Sequence, residues 1–370
     1  MTTVKGAAAA AAAPSAEREV LLRIEDLRVE YLAGRGSVRA VDGVSFTVGK
    51  GEVIGLAGES GCGKSTVAQA IMRILQPPAV ITGGAVLFEG RDVLSMSDRE
   101  LRRFRWEGVS MVFQSAMNSL NPVITIGEQI IDGIRAHRTI SDHEARELAG
   151  QLLEIVGIER ERLDSYPHQL SGGMRQRAVI AIALALQPPL MIMDEPTTAL
   201  DVVVQREILA KIAELRQKFG FSIIFITHDM SLLVEISDRI AIMYAGQIVE
   251  MADAREIFER PLHPYAEGLM ASFPALTGPR RRLEGIPGSP PDLIAPPSGC
   301  RFHPRCPKRM LVCDRVEPQL GEERPRHQVR CHLHAASRPA NLDPALLAPH
   351  PQALAWEHGR DEVGSERRVS

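Results

Sequence analysis

Gly58-Glu59-Ser60-Gly61-Cys62-Gly63-Lys64-Ser65 is the stretch on which the fold turns. It fits G-x-x-x-x-G-K-[ST], a loop whose glycines let successive backbone N–H groups wrap phosphate oxygens. Lys64 is spaced to reach the outer phosphates, and the Ser65 hydroxyl to ligate Mg²⁺. Upstream, Val53-Ile54-Gly55-Leu56 reads as a buried strand. Downstream, Thr66 opens a helical pattern with apolar residues at Val67, Ala70, Ile71, Ile74 and Leu75, closed by Pro77-Pro78. A strand, a glycine-rich turn and a helix in that order aim the positive helix end at the same phosphates. A bland glycine-rich turn would not require that flanking order.

Working outward, Leu21–Tyr31 and Val41–Val48 read as strands, with a Gly49-Lys50-Gly51 turn behind them and a strand–turn–strand signal at Ala85–Arg91. Residues of about 97–187 read as mostly helical. Leu190-Met191-Ile192-Met193 and Ser222-Ile223-Ile224-Phe225-Ile226 are short β-type runs between helical stretches, the pattern of a parallel sheet covered on both faces. Ile240–Glu250 reads as a hairpin turning at Ala245-Gly246-Gln247. The fold class is therefore α/β.

The 370 residues suggest two or three units. A hydrophobic share of 45 % and a charged share of 24 % exclude general disorder. A net charge of −3 leaves no electrostatic footprint for nucleic acid or an anionic membrane. No apolar run approaches the roughly 18–20 residues of a membrane span, and Ala7–Ala13 is too short and weakly apolar for a signal peptide. The expected layout is a disordered Ala-rich tail at 1–20 and a main domain at 21–260 with a helical subdomain at about 97–187. A Cys-containing extension at 261–336 and a disordered tail at 337–370 would follow.

Two further segments carry chemistry. The apolar run 190–193 ends in Asp194, suited to hold Mg²⁺, and Glu195 follows, placed to orient or deprotonate an attacking water. Leu170-Ser171-Gly172-Gly173-Met174-Arg175-Gln176 opens a helix some twenty residues earlier. Small residues and free N–H groups at a helix start make a second anion-binding device, unless Ser171 is an ordinary N-cap.

LSGGMRQR followed by MDEPTTALD, with Gln114 in MVFQ and His228 in ITHD, resembles the nucleotide-binding subunit of an ABC transporter, over residues of about 21 to 255. The resemblance implies an ATP-hydrolysing cassette with a helical subdomain. In it, Tyr31 would stack on adenine, with a half-buried strand tyrosine as the alternative, and Gly58–Ser65 with Thr66 would hold the phosphates. Gln114 would sense Mg²⁺ and the attacking water, and its loop would touch membrane subunits. Ser171, Gly172 and Gly173 would clamp ATP bound to the opposite subunit, and Asp201 would cross the dimer interface. His228 would contact the γ-phosphate and Glu195 would serve the water. One chain then holds half of each site, so a second ATPase subunit, the same or different, is implied.

Ser115-Ala116-Met117-Asn118-Ser119-Leu120-Asn121-Pro122 and the tail from Pro264 through Cys306-Pro307 are similar to oligopeptide/dipeptide importer ATPases. That family implies two transmembrane permease subunits, an extracytoplasmic solute-binding protein, and a peripheral place on the cytoplasmic face of a bacterial membrane. The substrate would be peptide, or alternatively nickel or another small solute. A soluble ATPase acting on nucleic acid or ribosomes is the rival class; it usually carries a second cassette, a long coiled-coil insertion or basic stretches, and none is visible.

Of five cysteines, Cys62 lies in the phosphate loop. Cys300, Cys306, Cys313 and Cys331 cluster with spacings C-x5-C-x6-C-x17-C, which match neither zinc ribbons nor bacterial ferredoxins. Disulfides are disfavoured in a reducing cytosol. Four thiolates favour a 4Fe–4S cluster ahead of Zn²⁺, with reduced structural cysteines as the third reading; His303, His327 and His332 stand nearby.

Overall fold

The computed structural model describes residues 18–34, 36–114, 119–197, 200–272 and 285–353. The tail expected at the N-terminus lies, up to residue 17, outside the described residues.

The chain opens with a long hairpin, β1 (Val20–Ala33) and β2 (Gly36–Gly49), followed by β3 (Val53–Ala57) and, after the phosphate loop, α1 (Lys64–Ile71). β4 (Ala79–Phe88) and β5 (Arg91–Asp92) join the hairpin in an antiparallel sheet of order β2-β1-β4-β5. Then come α2 (Asp98–Arg103), β6 (Val109–Val112), α3 (Ile126–Arg135), α4 (Asp142–Ile155) and α5 (Gly172–Leu184). Ser97, Thr125 and Ser141 start α2, α3 and α4 with reciprocal Ser/Thr–Glu capping boxes, which satisfy otherwise orphaned N–H groups.

β7 (Leu190–Asp194), α6 (Val202–Phe219), β8 (Ser222–Ile226) and α7 (Met230–Ile236) lead to the hairpin β9 (Arg239–Tyr244) and β10 (Gln247–Asp253). After α8 (Ala254–Glu259) and α9 (Pro264–Ala271), the extension contributes β11 (Gly321–Arg324) and β12 (His327–Val329). The main sheet has the order β11-β12-β10-β9-β3-β8-β7-β6. Its β9-β3-β8-β7-β6 half is parallel and the remainder antiparallel.

Every residue of β3, β7 and β8 is buried, as a sheet covered on both faces demands. Strand alternation divides them between two cores. Ile192, Ile224 and Ile226 pack with α1 and the antiparallel sheet. Met193, Ile223 and Phe225 pack with the helices on the other face.

The stretch 97–187 is mostly helical and also holds a four-residue edge strand, β6. Two expectations need correction. The extension is not walled off at residue 260, because β12 pairs Val329 with Glu250 of β10, and Phe302 and Val312 belong to the main core. The tail expected from 337 is packed as far as residue 353. There Leu311 N–H donates to Ala348 O at 3.0 Å and Val312 N–H to Leu346 O at 2.9 Å. Residues 354–370 lie outside the described residues. Among the described residues no helix is long and apolar enough to cross a membrane.

Candidate active site

The register of the parallel strands decides which side chains meet. Leu56 of β3 and Asp194 of β7 both lie beside Ile226 of β8, and Val112 of β6 lies beside Met193. Residues just past these partners therefore emerge together at the carboxyl edge of the sheet, where open α/β sheets bind ligands. They are the phosphate loop, Gln114, Glu195 and His228.

The loop after β3 is held close to neighbouring backbone. Gly58 has φ +144° and Gly63 φ +108°, and a Cβ at either would come within 2.2 Å of a carbonyl oxygen, of Met243 and Ala40 respectively. Only glycine fits. Gly63 leaves the start of α1 without a side-chain cap, so its N–H groups remain available to an anion. Lys64 is 6 % exposed and folds back to donate to Gly58 O at 2.8 Å and Glu59 O at 3.0 Å. Those are neutral acceptors that phosphate oxygens would outcompete. Cys62 is buried beside Lys64, and burial pushes its thiol up, against the pull of the lysine; it is a packing residue rather than a reactive thiol.

Asp194 is 3 % exposed and, among the described residues, its Oδ1 has no hydrogen-bond partner. Burial pushes its carboxyl up, a hydrogen bond from Ser65 opposes this, and the Glu195 charge adds to the rise. An orphaned buried carboxylate oxygen next to a serine hydroxyl is a donor set that suits a hard divalent cation, so these residues fit Mg²⁺.

Glu195 adopts a left-handed backbone, φ +47°, and its N–H donates to Ile226 O at 2.8 Å. A non-glycine residue in that region marks a position held by its surroundings. Gln114 Nε2 donates to Glu195 Oε2 at 3.1 Å, and His228 Nδ1 lies 3.2 Å from Glu195 Oε1. The three expected catalytic residues thus form one hydrogen-bonded unit. Tyr31, half-buried on β1, places its hydroxyl 3.4 Å from Thr66 Oγ1, which sets its ring beside the first turn of α1.

Other expected residues stand elsewhere. Ser171 caps α5, its Oγ accepting from Met174 N–H at 3.3 Å. Among the described residues no hydrogen bond joins Ser171, Gly172 or Gly173 to the phosphate loop. Asp201 caps α6 through Val203 N–H and Val204 N–H. Residues 115–118 of the segment after Gln114, and residues 198–199 before Leu200, lie outside the described residues.

Cys300, Cys313 and Cys331 are buried and Cys306 half-buried, all as free thiols. Burial pushes the thiols of Cys306 and Cys331 up to about 12. The Cys300 thiol is raised by burial first and then by Cys331, Cys313 and Cys306. Among the described residues no group of three or more His, Cys, Asp or Glu side chains closes around a single metal position.

Glu59, inside the phosphate loop, has partners that motif reading did not supply. Arg305 of the extension grips its carboxylate with two hydrogen bonds, 2.8 and 2.9 Å, and the Tyr265 hydroxyl accepts from its backbone N–H at 2.9 Å. The signal was present: a carboxylate beside a triphosphate cradle calls for a compensating cation. Its location 246 residues away did not show.

Residues 41–198 match the ABC transporter family model, and residues 249–313 match the model of the oligopeptide/dipeptide transporter C-terminal region. The dipeptide transport ATP-binding protein DppD of Bacillus subtilis is 46 % identical over 318 residues, 85 % of this chain and 95 % of that protein. The oligopeptide transport ATP-binding protein OppD of Salmonella typhimurium is 44 % identical over 301 residues, 81 % of this chain and 90 % of that protein. Among solved structures, the ABC cassette MJ0796, a dimer in a post-hydrolysis state with ADP and Pi, superposes with a TM-score of 0.57 at 29 % identity. That match covers 63 % of this chain and 99 % of MJ0796. The cbiO1 cassette of Clostridium perfringens gives 0.58 at 28 %, covering 66 % of this chain and 93 % of cbiO1. On sequence, extension and cassette alike, this chain belongs to the ATP-binding subunits of the oligopeptide/dipeptide ABC transporters.

Proposed function

We propose that this chain hydrolyses ATP to drive uptake of peptides through a membrane channel made by two permease subunits and fed by an extracytoplasmic solute-binding protein. The observation that carries the reading is the Gln114–Glu195–His228 unit, set at the sheet edge beside Lys64, Ser65 and Asp194. Lys64 and the uncapped start of α1 bind the triphosphate. Ser65 and Asp194 would hold Mg²⁺, which supplies charge neutralisation at the outer phosphates. Glu195 takes a proton from the attacking water, oriented by Gln114 and His228.

The placement of Ser171–Gly173 outside this half-site supports a reading in which they complete the site of a second ATPase subunit. ATP then bridges two subunits and its hydrolysis releases them, a two-state interface of the kind that switches couple to larger motions. An apolar groove beside the Gln114 segment, lined by Trp106, Met111, Phe113, Leu120, Ile124 and Ile182, offers a seat for a permease segment and would hold the subunit on the cytoplasmic face.

For the four cysteines the proposed reading is a 4Fe–4S cluster ahead of zinc, with reduced structural cysteines as the alternative. Zinc needs all four sulfurs about 2.3 Å from one point, whereas each thiolate of a cluster binds its own iron. Such a cluster would supply a covalent staple to a loop-rich segment. The whole reading is tested by reconstituting the chain with its cognate permeases and binding protein in liposomes. ATP-dependent accumulation of a labelled dipeptide or oligopeptide is expected, and none with the permeases alone. Full uptake without this chain would overturn it.

A further inference from the structure

We propose that Arg305 is a positioning residue for the nucleotide. By holding the Glu59 carboxylate it keeps the phosphate loop ready for ATP, and it ties ATP affinity to the four-cysteine segment from which it projects. The inference rests on reading residues 58–65 as the phosphate cradle.

Arg305 is a built hub rather than a surface partner. Its side chain is 6 % exposed. Besides the paired bonds to Glu59, Nε donates to Pro287 O at 2.9 Å, while Nη2 reaches Ile286 O and Nη1 the Tyr244 hydroxyl, each at 3.3 Å. The guanidinium also stands 5.7 Å from the Tyr244 ring centre and 6.0 Å from that of Phe302. Every direction it can take is set by packing. A two-pronged guanidinium–carboxylate pair fixes geometry as well as charge.

That geometry matters because of where Glu59 sits. Its side chain leaves the loop one residue after Gly58, and Lys64 donates to its backbone carbonyl. Without a counter-charge, a carboxylate here would repel an incoming triphosphate and compete for Lys64. Arg305 does both jobs: it neutralises the acid and keeps it off the lysine. The pair is buried at Arg305 but 25 % exposed at Glu59; such a half-buried pair is a modest source of stability, and removing one partner leaves the other's charge uncompensated. The pair is therefore better explained by the loop's ligand than by the fold.

Arg305 ends the short turn His303–Arg305, bracketed by two of the four cysteines. His303 N–H donates to Cys300 O at 3.0 Å, and Cys306 N–H donates to His303 O at 3.3 Å. Any change in how Cys300 and Cys306 are held moves this turn, and with it the grip on Glu59.

The test is binding of a fluorescent ATP analogue (MANT-ATP) to the full-length chain, with melting curves as a control for folding. Arg305→Gln should weaken binding about tenfold, with kcat at saturating ATP changed less than about threefold. The loss should shrink between low and high salt, because it comes from an uncompensated charge. Arg305→Lys should recover part of it. Glu59→Gln/Arg305→Gln should bind at least about threefold tighter than Arg305→Gln alone. Cys306→Ser should weaken binding when Arg305 is present and have no further effect in the double variant. Unchanged affinity in Arg305→Gln, a double variant as weak as the single with no salt dependence, or a Cys306→Ser effect of equal size in both backgrounds would each overturn the proposal. Lys64→Ala tests the cradle separately: undiminished binding there would fault the reading of residues 58–65, not the role of Arg305.

Discussion

His228 Nδ1 and Glu195 Oε1 lie 3.2 Å apart, each just beyond the end of one of two neighbouring parallel strands. The imidazole is 68 % exposed and the carboxylate 16 %, so the histidine reaches in from the rim towards a group the fold has already fixed. The pairing suits a site where the carboxylate handles water and the histidine contacts phosphate. Glu195→Gln preserves shape and the bond from Gln114 but cannot accept a proton. Steady-state phosphate release should fall by about a hundredfold or more, while ATP binding persists and light scattering shows a trapped ATP-bound dimer. Turnover within a few-fold of the parent would remove Glu195 from the chemistry.

Much of this site was legible in the sequence because each part carries its own local signal. The glycines at 58 and 63 answer to a backbone packed against Met243 and Ala40, and Asp194 and Glu195 end a strand that is apolar throughout. β6 was hidden because Val109-Ser110-Met111-Val112 is four residues long and closely follows the Arg-rich helical run at 99–105. A strand that short has no usable period. The continuity of the extension with the main sheet was hidden for a different reason. Only two residue pairs, Glu250 with Val329 and Met251 with Gln328, join β10 to β12, across some eighty residues of Pro- and Arg-rich chain.

Tyr31 offers a test that separates adenine from phosphate recognition. Among the described residues its hydroxyl makes only a long contact with Thr66, so Tyr31→Phe should leave ATP affinity near that of the parent. Tyr31→Ala removes the ring and should weaken MANT-ATP binding by roughly five- to a hundredfold, the range expected for losing one base–aromatic stack. Inorganic tripolyphosphate should bind both variants equally. Equal losses for ATP and tripolyphosphate would mean that the ring merely supports β1.

Asp201 has two separable roles. As the cap of α6 it accepts two backbone N–H bonds, and Asp201→Ala should cost about 1 kcal/mol and lower the Tm by roughly 2–4 °C. Asp201→Asn keeps an acceptor in place and should restore the melting point. If Asp201 also meets a second subunit, the Asn variant will show weaker ATP-dependent dimerisation at unchanged Tm. Normal dimerisation in Asp201→Asn would confine the residue to capping.

His263 gives the extension an acid sensitivity whose sign is fixed by burial. The ring is 1 % exposed, accepts Tyr265 N–H at Nδ1, and among the described residues has no partner for Nε2. Burial, with a smaller push from His334, lowers its pKa to about 3. In the unfolded chain it titrates near its ordinary value of about 6.5. Above that pH neither state binds the proton and the histidine adds no pH dependence. As pH falls from 6.5 towards 3 the unfolded state takes up a proton that the folded state refuses, so stability is lost across that window. Between pH 6.5 and pH 5 the loss from this residue alone should be on the order of 1–2 kcal/mol. His263→Asn keeps a side-chain acceptor at the start of α9 but cannot titrate. Urea unfolding from pH 7.5 to 5 should therefore show a shallower pH slope in the variant, by close to one proton. Because α9 carries Tyr265, whose hydroxyl holds Glu59 N–H, the parent's ATP affinity should fall over the same acid range more steeply than that of His263→Asn. Parallel slopes for the two proteins would show that His263 is protonated in the folded chain and that the burial argument fails.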